Sequence, residues 1–147
     1  SAHSSFKNLN LNSKWLLKTS SQSNIEPKKY TIQKSKVHVK TIESYFHKNK
    51  LNKIDILKID TQGYEDKVLE GAIDLIVSNK IKLIQIEMLF TEVYDQPLSI
   101  YDVEKYLVPN GYKLFCSSSR GGSLHSELYQ QDHIYISPEI FENYKNT

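Results

Sequence analysis

Leu57-Lys58-Ile59-Asp60-Thr61-Gln62-Gly63-Tyr64-Glu65, running on to Leu69-Glu70-Gly71-Ala72, constrains the fold of this chain more than any other stretch. Before it, Lys53 to Ile59 carries Ile54, Ile56, Leu57 and Ile59 in a short apolar run, the pattern of a strand buried on both faces. After it, Tyr64, Val68, Ala72, Leu75 and Ile76 recur at helical spacing, which predicts a helix over Thr61 to Asn79. A second strand follows from Lys82 to Glu87. Strand, helix, strand in this order is a crossover unit with parallel strands and a right-handed connection.

Each of the two strands ends on an acid, Asp60 and Glu87. In an open parallel sheet, ligands bind in the crevice beyond the carboxyl ends of the strands. Neighbouring strands lie about 4.8 Å apart, and two carboxylates at about 5 Å repel by roughly 3 kcal/mol at an effective dielectric near 20. Such a pair holds a proton, binds a cation or receives a donor-rich ligand. The competing reading is that either acid caps a helix or pairs with a lysine. Two acids are a thin ligand set, so a divalent metal is not favoured.

The rest of the chain supplies the frame. Ser1 to Lys36 is polar and weakly patterned, with a loop expected at Ser20 to Asn24 and an apolar cluster of Trp15, Leu16 and Leu17 that packs on the body. Tyr30 to Lys40 alternates and predicts one or two strands. Thr41 caps a short helix containing Ile42, Tyr45 and Phe46. Gly71, unfavourable inside a helix by about 1 kcal/mol against Ala, marks tight packing of helix on sheet. A loop over Met88 to Pro97 brings Glu92, Tyr94 and Asp95 beside the crevice. Ser99-Ile100-Tyr101-Asp102 opens a helix whose buried face is Ile100, Val103, Tyr106 and Leu107, and Pro109-Asn110-Gly111 stops it. Tyr112 to Cys116 reads as a third strand with a buried thiol, Ser117 to Ser123 as a flexible loop, and Asp132 to Ile136 as a final strand.

The quoted stretch, together with Val68-Leu69-Glu70-Gly71-Ala72 and Ile84-Gln85-Ile86-Glu87, resembles the signature of the FkbM-type methyltransferases. Val37 to Ile42 and His3-Ser4-Ser5-Phe6 resemble family segments further upstream, so most of the chain is covered. The resemblance implies an α/β fold, a Rossmann-like class I methyltransferase sheet whose last strand is antiparallel between its neighbours. It implies S-adenosylmethionine as cofactor, contacted by Asp60 and Thr61, and methyl transfer to a hydroxyl of a sugar or glycosylated metabolite. Asp60 would be the first choice of catalytic residue, as base or orienting acceptor with its pKa raised by Glu87, and Glu87 the second, positioning the acceptor or sharing a divalent metal site with Asp60. His3, Ser4, Ser5, Gln62, Tyr64 and Glu65 would bind substrate, though Glu65 in a helix's first turn serves the helix dipole equally well. Gln62 is a departure, since the family more often carries glutamate there. The family's glycine-rich cofactor turn has no counterpart: none of Gly63, Gly71, Gly111, Gly121 and Gly122 follows a strand in a G-x-G arrangement. The expectation is therefore a carboxy-terminal part of one methyltransferase domain, with 1–36 irregular and 37–147 an α/β core. A non-catalytic binding module on a degenerate half-fold is the rival.

Charge and composition narrow the partners. A formal charge of +2 over 147 residues is too small to argue for nucleic acid or membrane binding. The single Cys116 permits no internal disulfide and fits a reducing, cytoplasmic setting. No segment has the apolar length of a membrane span, and no His or Cys spacing matches a zinc site. Of the histidines, His38 and His47 read as structural or solvated, His125 as exposed in the serine-glycine loop, and His133 as facing the crevice or the surface. The partner expected is a small-molecule or glycan acceptor, with a homo-oligomer left open.

Overall fold

A computed structural model describes residues 5–30, 34–122 and 128–146, with the backbone alone at 119–122 and 128. Four strands form one sheet in the order β1-β2-β4-β3: β1 Ile54–Ile59, β2 Ile81–Leu89, β3 Lys113–Gly122 and β4 Leu128–Ile136. The expected crossover is present: β1 and β2 are direct parallel neighbours, with Ile59 opposite Ile86. β4 lies antiparallel between β2 and β3, placing Glu87 opposite Asp132 and Leu89 opposite Gln130.

Alternation along β2 decides what each face does. Ile84, Ile86 and Met88 point to a core shared with Phe46, Leu69, Leu75, Ile76, Val103 and Leu107 from α2 (Ile42–Lys48), α3 (Glu65–Glu70), α4 (Ile73–Val77) and α5 (Ile100–Leu107). Each fully buried Leu or Ile contributes about 1.5–3 kcal/mol against exposure, so burial against this helical layer stabilises the sheet. Glu87 and Leu89 point to the opposite face. That face is open at β1, where Ile56 is 66% exposed. A β1 buried on both faces was expected, and this is corrected: β1 is an edge strand among the described residues.

The single long helix expected over Thr61 to Asn79 is instead two. The N–H of Glu43 in α2 takes the carbonyl of Gly71 (3.2 Å), while the Glu43 carboxylate accepts from the Asp74 N–H (2.8 Å). Backbone groups that would have continued the helix are thus diverted into α2. A Cβ on Gly71 would lie 3.2 Å from Thr41 Cβ, so this glycine admits the α2 cap and not, as expected, the sheet. Thr41 does cap α2, accepting from the Ser44 N–H at 3.1 Å.

Other expectations change at the edges. Ser20 to Ser23 are helical, within α1 (Lys14–Ser23), whose Asn24 cap adopts the left-handed region. No strand occurs at 30 or 34–40: Pro27–Tyr30 is a 3-10 turn, Val37 and Val39 are exposed, and 31–33 lie outside the described residues. Leu16 is fully buried whereas Leu17 is half exposed. Ile100 faces out, leaving Val103 and Leu107 as the buried pair of α5, and the Asp102 carboxylate accepts from both the N–H and the hydroxyl of Ser99 at its start. Ser117 to Gly122 are strand, paired with β4. Cys116 follows a register shift in β3, an edge strand, and is exposed where burial was expected. His133 is buried, near the rings of Phe90 and Tyr135, and so faces neither crevice nor surface. His38 and His47 are exposed, while His125 lies outside the described residues. Among the described residues, no helix is long and apolar enough to cross a membrane.

Candidate active site

Asp60 stands one residue beyond β1, and Glu87 sits in β2 two residues before its end, not at the terminus expected. Since Ile59 pairs with Ile86, the next step of the register brings Asp60 beside Glu87 on the open face. The turn between β1 and α3 then closes over them. Gln62 in the left-handed region (φ 55°) and Gly63 (φ 99°) reverse the chain tightly enough for Gln62 to fold back on both acids. Its Nε2 donates to Asp60 Oδ1 at 3.1 Å and to Glu87 Oε2 at 2.5 Å. Its Oε1 accepts from the Tyr94 hydroxyl at 3.0 Å. The other Glu87 oxygen accepts from Gln130 of β4.

The two acids are shifted in opposite directions. The Lys58 ammonium, 2.7 Å from Asp60 Oδ2, holds Asp60 below the usual carboxylate range, with Gln62 helping. Burial, then the Asp60 charge, pushes Glu87 up to about 7, with buried Asp132 directly opposite adding to the effect. The expectation that Glu87 raises Asp60 is thus reversed: the deeper group takes the penalty, because desolvation acts most on the carboxylate farthest from water. Glu87 is poised to exchange a proton near neutrality, and Asp60 stays ionised.

Glu65 is buried, 4% exposed, and directed into the turn. Its Oε1 accepts from the Thr61 N–H (3.0 Å) and hydroxyl (3.2 Å), and its Oε2 from the Gly63 N–H (3.0 Å). Both Thr61 polar groups expected to meet a cofactor are therefore used within the turn. Ser5 donates from its hydroxyl to the Gln62 carbonyl at 2.6 Å. Tyr64 is half-buried, its ring centroid 5.2 Å from that of Phe6. His3 and Ser4 lie outside the described residues. The sites expected from sequence thus divide: Asp60, Gln62 and Glu87 converge, whereas Ser5, Thr61 and Glu65 hold the turn that presents them.

The cleft at these acids has a volume of about 190 Å³ and is lined by Asp60, Gln62 and Glu87 with Trp15, Tyr129 and Gln130. The last three were not singled out for the site from sequence. Trp15 comes from α1, across the sheet, with its ring stacked on that of Tyr129 (6.2 Å, 29°). Gln130 and Asp132 could be found only with the β2–β4 register in hand, which sets them on the face of Glu87. Among the described residues, no three His, Cys, Asp or Glu side chains form a group able to hold a metal.

Gly63 is a pressure point of this arrangement. Its positive φ disfavours any side chain, and a Cβ there would meet Lys7 Cδ at 3.2 Å and Tyr94 Cδ2 at 3.4 Å. Gly63→Ala is expected to cost about 1–2 kcal/mol, read as a melting temperature lower by about 3–8 °C. An unchanged melting curve would mean that the turn is not held in this conformation.

A family model described as the methyltransferase FkbM domain matches residues 3–114. The matched span contains Trp15, Asp60, Gln62, Glu65, Glu87 and Tyr94 and stops short of β4. No curated protein and no solved structure matches the chain.

Proposed function

This chain belongs to the FkbM methyltransferase domain family, and on that premise we propose that it supplies the acceptor side of an S-adenosylmethionine-dependent O-methyltransferase. Its sheet would form part of a Rossmann-like methyltransferase fold. The observation that carries this reading is the meeting of Asp60 and Glu87 at one cleft, joined through a single amide donor. An acceptor hydroxyl entering that cleft finds two carboxylates with different roles. Glu87, pushed up to about 7, suits removal of the hydroxyl proton, because a base works best with a pKa near the working pH. Asp60, kept ionised by Lys58, suits orienting the hydroxyl.

Among the described residues, the cleft is too small to enclose the whole cofactor, so it is read as the acceptor's pocket, with the cofactor lying mainly outside it. About 190 Å³ is below the roughly 300 Å³ at which drug-sized ligands are held, and Thr61, expected to contact the cofactor, spends its donors on Glu65. S-adenosylmethionine would supply the methyl group. The acceptor proposed is a sugar or glycosylated metabolite, since the lining mixes the aromatic rings of Trp15 and Tyr129 with acids and amides that match a hydroxylated ring. The exposed lone thiol of Cys116 accords with a reducing, cytoplasmic setting.

The test is incubation with S-adenosylmethionine tritiated on its methyl group and a panel of glycosides, free sugars and polyols. Label is expected in an alkali-stable methyl ether. Label confined to an alkali-labile ester or to nitrogen would refute transfer to an alcohol oxygen.

A further inference from the structure

We propose that Tyr94 is a positioning residue: by holding the carbonyl end of Gln62, its hydroxyl keeps the amide N–H end directed at Asp60 and Glu87 together. The proposal rests on the acceptor-site reading only for its effect on turnover; the positioning itself is a property of the free protein.

Tyr94 is suited to this by how firmly it is held. It is only 4% exposed and bridges antiparallel to Leu9. On either side of it, the Val93 carbonyl accepts from the Asn10 N–H and the Asp95 N–H donates to the Asn8 carbonyl, both at 3.0 Å. The ring packs against Gly63, so the hydroxyl has little room to follow a displaced partner. Gln62 is less constrained. Its backbone is anchored by Ser5, but its side chain is half-buried and has three polar contacts: Asp60, Glu87 and Tyr94. Without the phenol hydroxyl, Oε1 loses its partner in a half-buried place, where an unmet acceptor is costly. The side chain then follows its carbonyl toward water, and Nε2 leaves the two acids.

The other groups facing Glu87 are left in place when that hydroxyl is removed. They are Asp60 and Lys58 from the β1 side, Gln130, Asp132 and Tyr129 from β4, and Lys7 and Glu65 across a small neighbouring cavity. The Gln62 hydrogen bond favours the anionic form of Glu87, so its loss moves the Glu87 titration upward.

The experiment follows the Glu87 carboxyl carbon by NMR as pH is varied, with the resonance assigned by its absence in Glu87→Gln. Tyr94→Phe and Gln62→Ala are each expected to raise the midpoint by about 0.5 pH unit or more, and the double variant no further than either alone. An unchanged midpoint in Tyr94→Phe overturns the proposal, as does a second full shift in the double variant, since Tyr94 would then act by another route. Should Tyr94→Phe melt early, the Gln62 side-chain amide of the unaltered protein gives a second reading. Slowed exchange of its N–H protons is expected, and exchange at the rate of a free glutamine overturns the proposal. In the methyl-transfer assay, the pH profile should move with the midpoint. A midpoint that moves while the profile stays in place would uphold the positioning and remove Glu87 as the base.

Discussion

Glu87→Gln is expected to lower methyl transfer by about 10²–10⁴-fold with the fold retained, the range associated with loss of a general base. The amide has the shape of the protonated acid, so the substitution freezes the site in the state that cannot accept a proton. In the unaltered protein, the rate should rise with pH and level off above a midpoint about 7, where Glu87 becomes anionic. The stability effect carries an independent signature. A carboxyl raised from 4.5 to about 7 binds more protons folded than unfolded across that interval. Its contribution to stability therefore falls as pH rises from about 4.5 to about 7 and stays unfavourable above. Glu87→Gln should consequently melt above the parent at pH 8, and the gap should close below about pH 4.5. Asp60 has the opposite sign: its pKa is lowered, chiefly by the hydrogen bond from Lys58. Its contribution is present above its unfolded value and is lost as pH falls through the folded one, so Asp60→Asn should be destabilising at pH 8. Melting shifts of opposite sign from the two substitutions would separate their roles before any substrate is known. Full activity in Glu87→Gln would remove it from the chemistry.

How much of this was legible in the sequence follows from how local each signal is. Strands β1 and β2, the caps at Thr41 and Ser99 and the stop at Gly111 are set by residues within a few positions of one another, and the structure places them close to where the sequence pattern does, with α3 and α4 in place of the one helix expected between the strands. The pairing of Asp60 with Glu87 needed only the rule that a short crossover joins parallel neighbours. What the sequence could not carry is whatever depends on distant partners. The break at Gly71 arises because Glu43, far back in the chain, competes for backbone groups of the helix. Cys116 and Ile56 have apolar strand patterns but lie on edge strands, and an edge position is a property of strand order, not of the strand. Likewise, which acid is raised depends on depth, and no spacing encodes depth. Gln130, Tyr129 and Trp15 reach the cleft from β4 and α1, and only the register and the course of the N-terminal segment bring them there.

Glu65→Ala should have the largest effect on stability of any single change at the site. The carboxylate is the partner of two backbone N–H groups, Thr61 and Gly63, in a turn whose two central residues sit at positive φ. Such a turn makes no ladder of its own, so its donors depend on an outside acceptor. Removing that acceptor leaves two donors unmet at about 1–3 kcal/mol each where they are shielded from water, and it forfeits the favourable charge at the start of α3. A total of about 2–4 kcal/mol is expected, or a melting temperature lower by about 8–15 °C. Glu65→Gln keeps one acceptor oxygen and should lose about half as much. Because the turn presents Gln62, activity should fall in both variants in the order of their stability loss, and amide exchange at Gly63 should quicken in the same order. The alternative assignment, a direct hold on the acceptor, makes a different forecast: weakened acceptor binding with an unaltered melting curve and a still-protected Gly63 amide. Burial and four short contacts within five residues favour the first outcome, because a carboxylate already committed to its own turn has little left to offer a ligand.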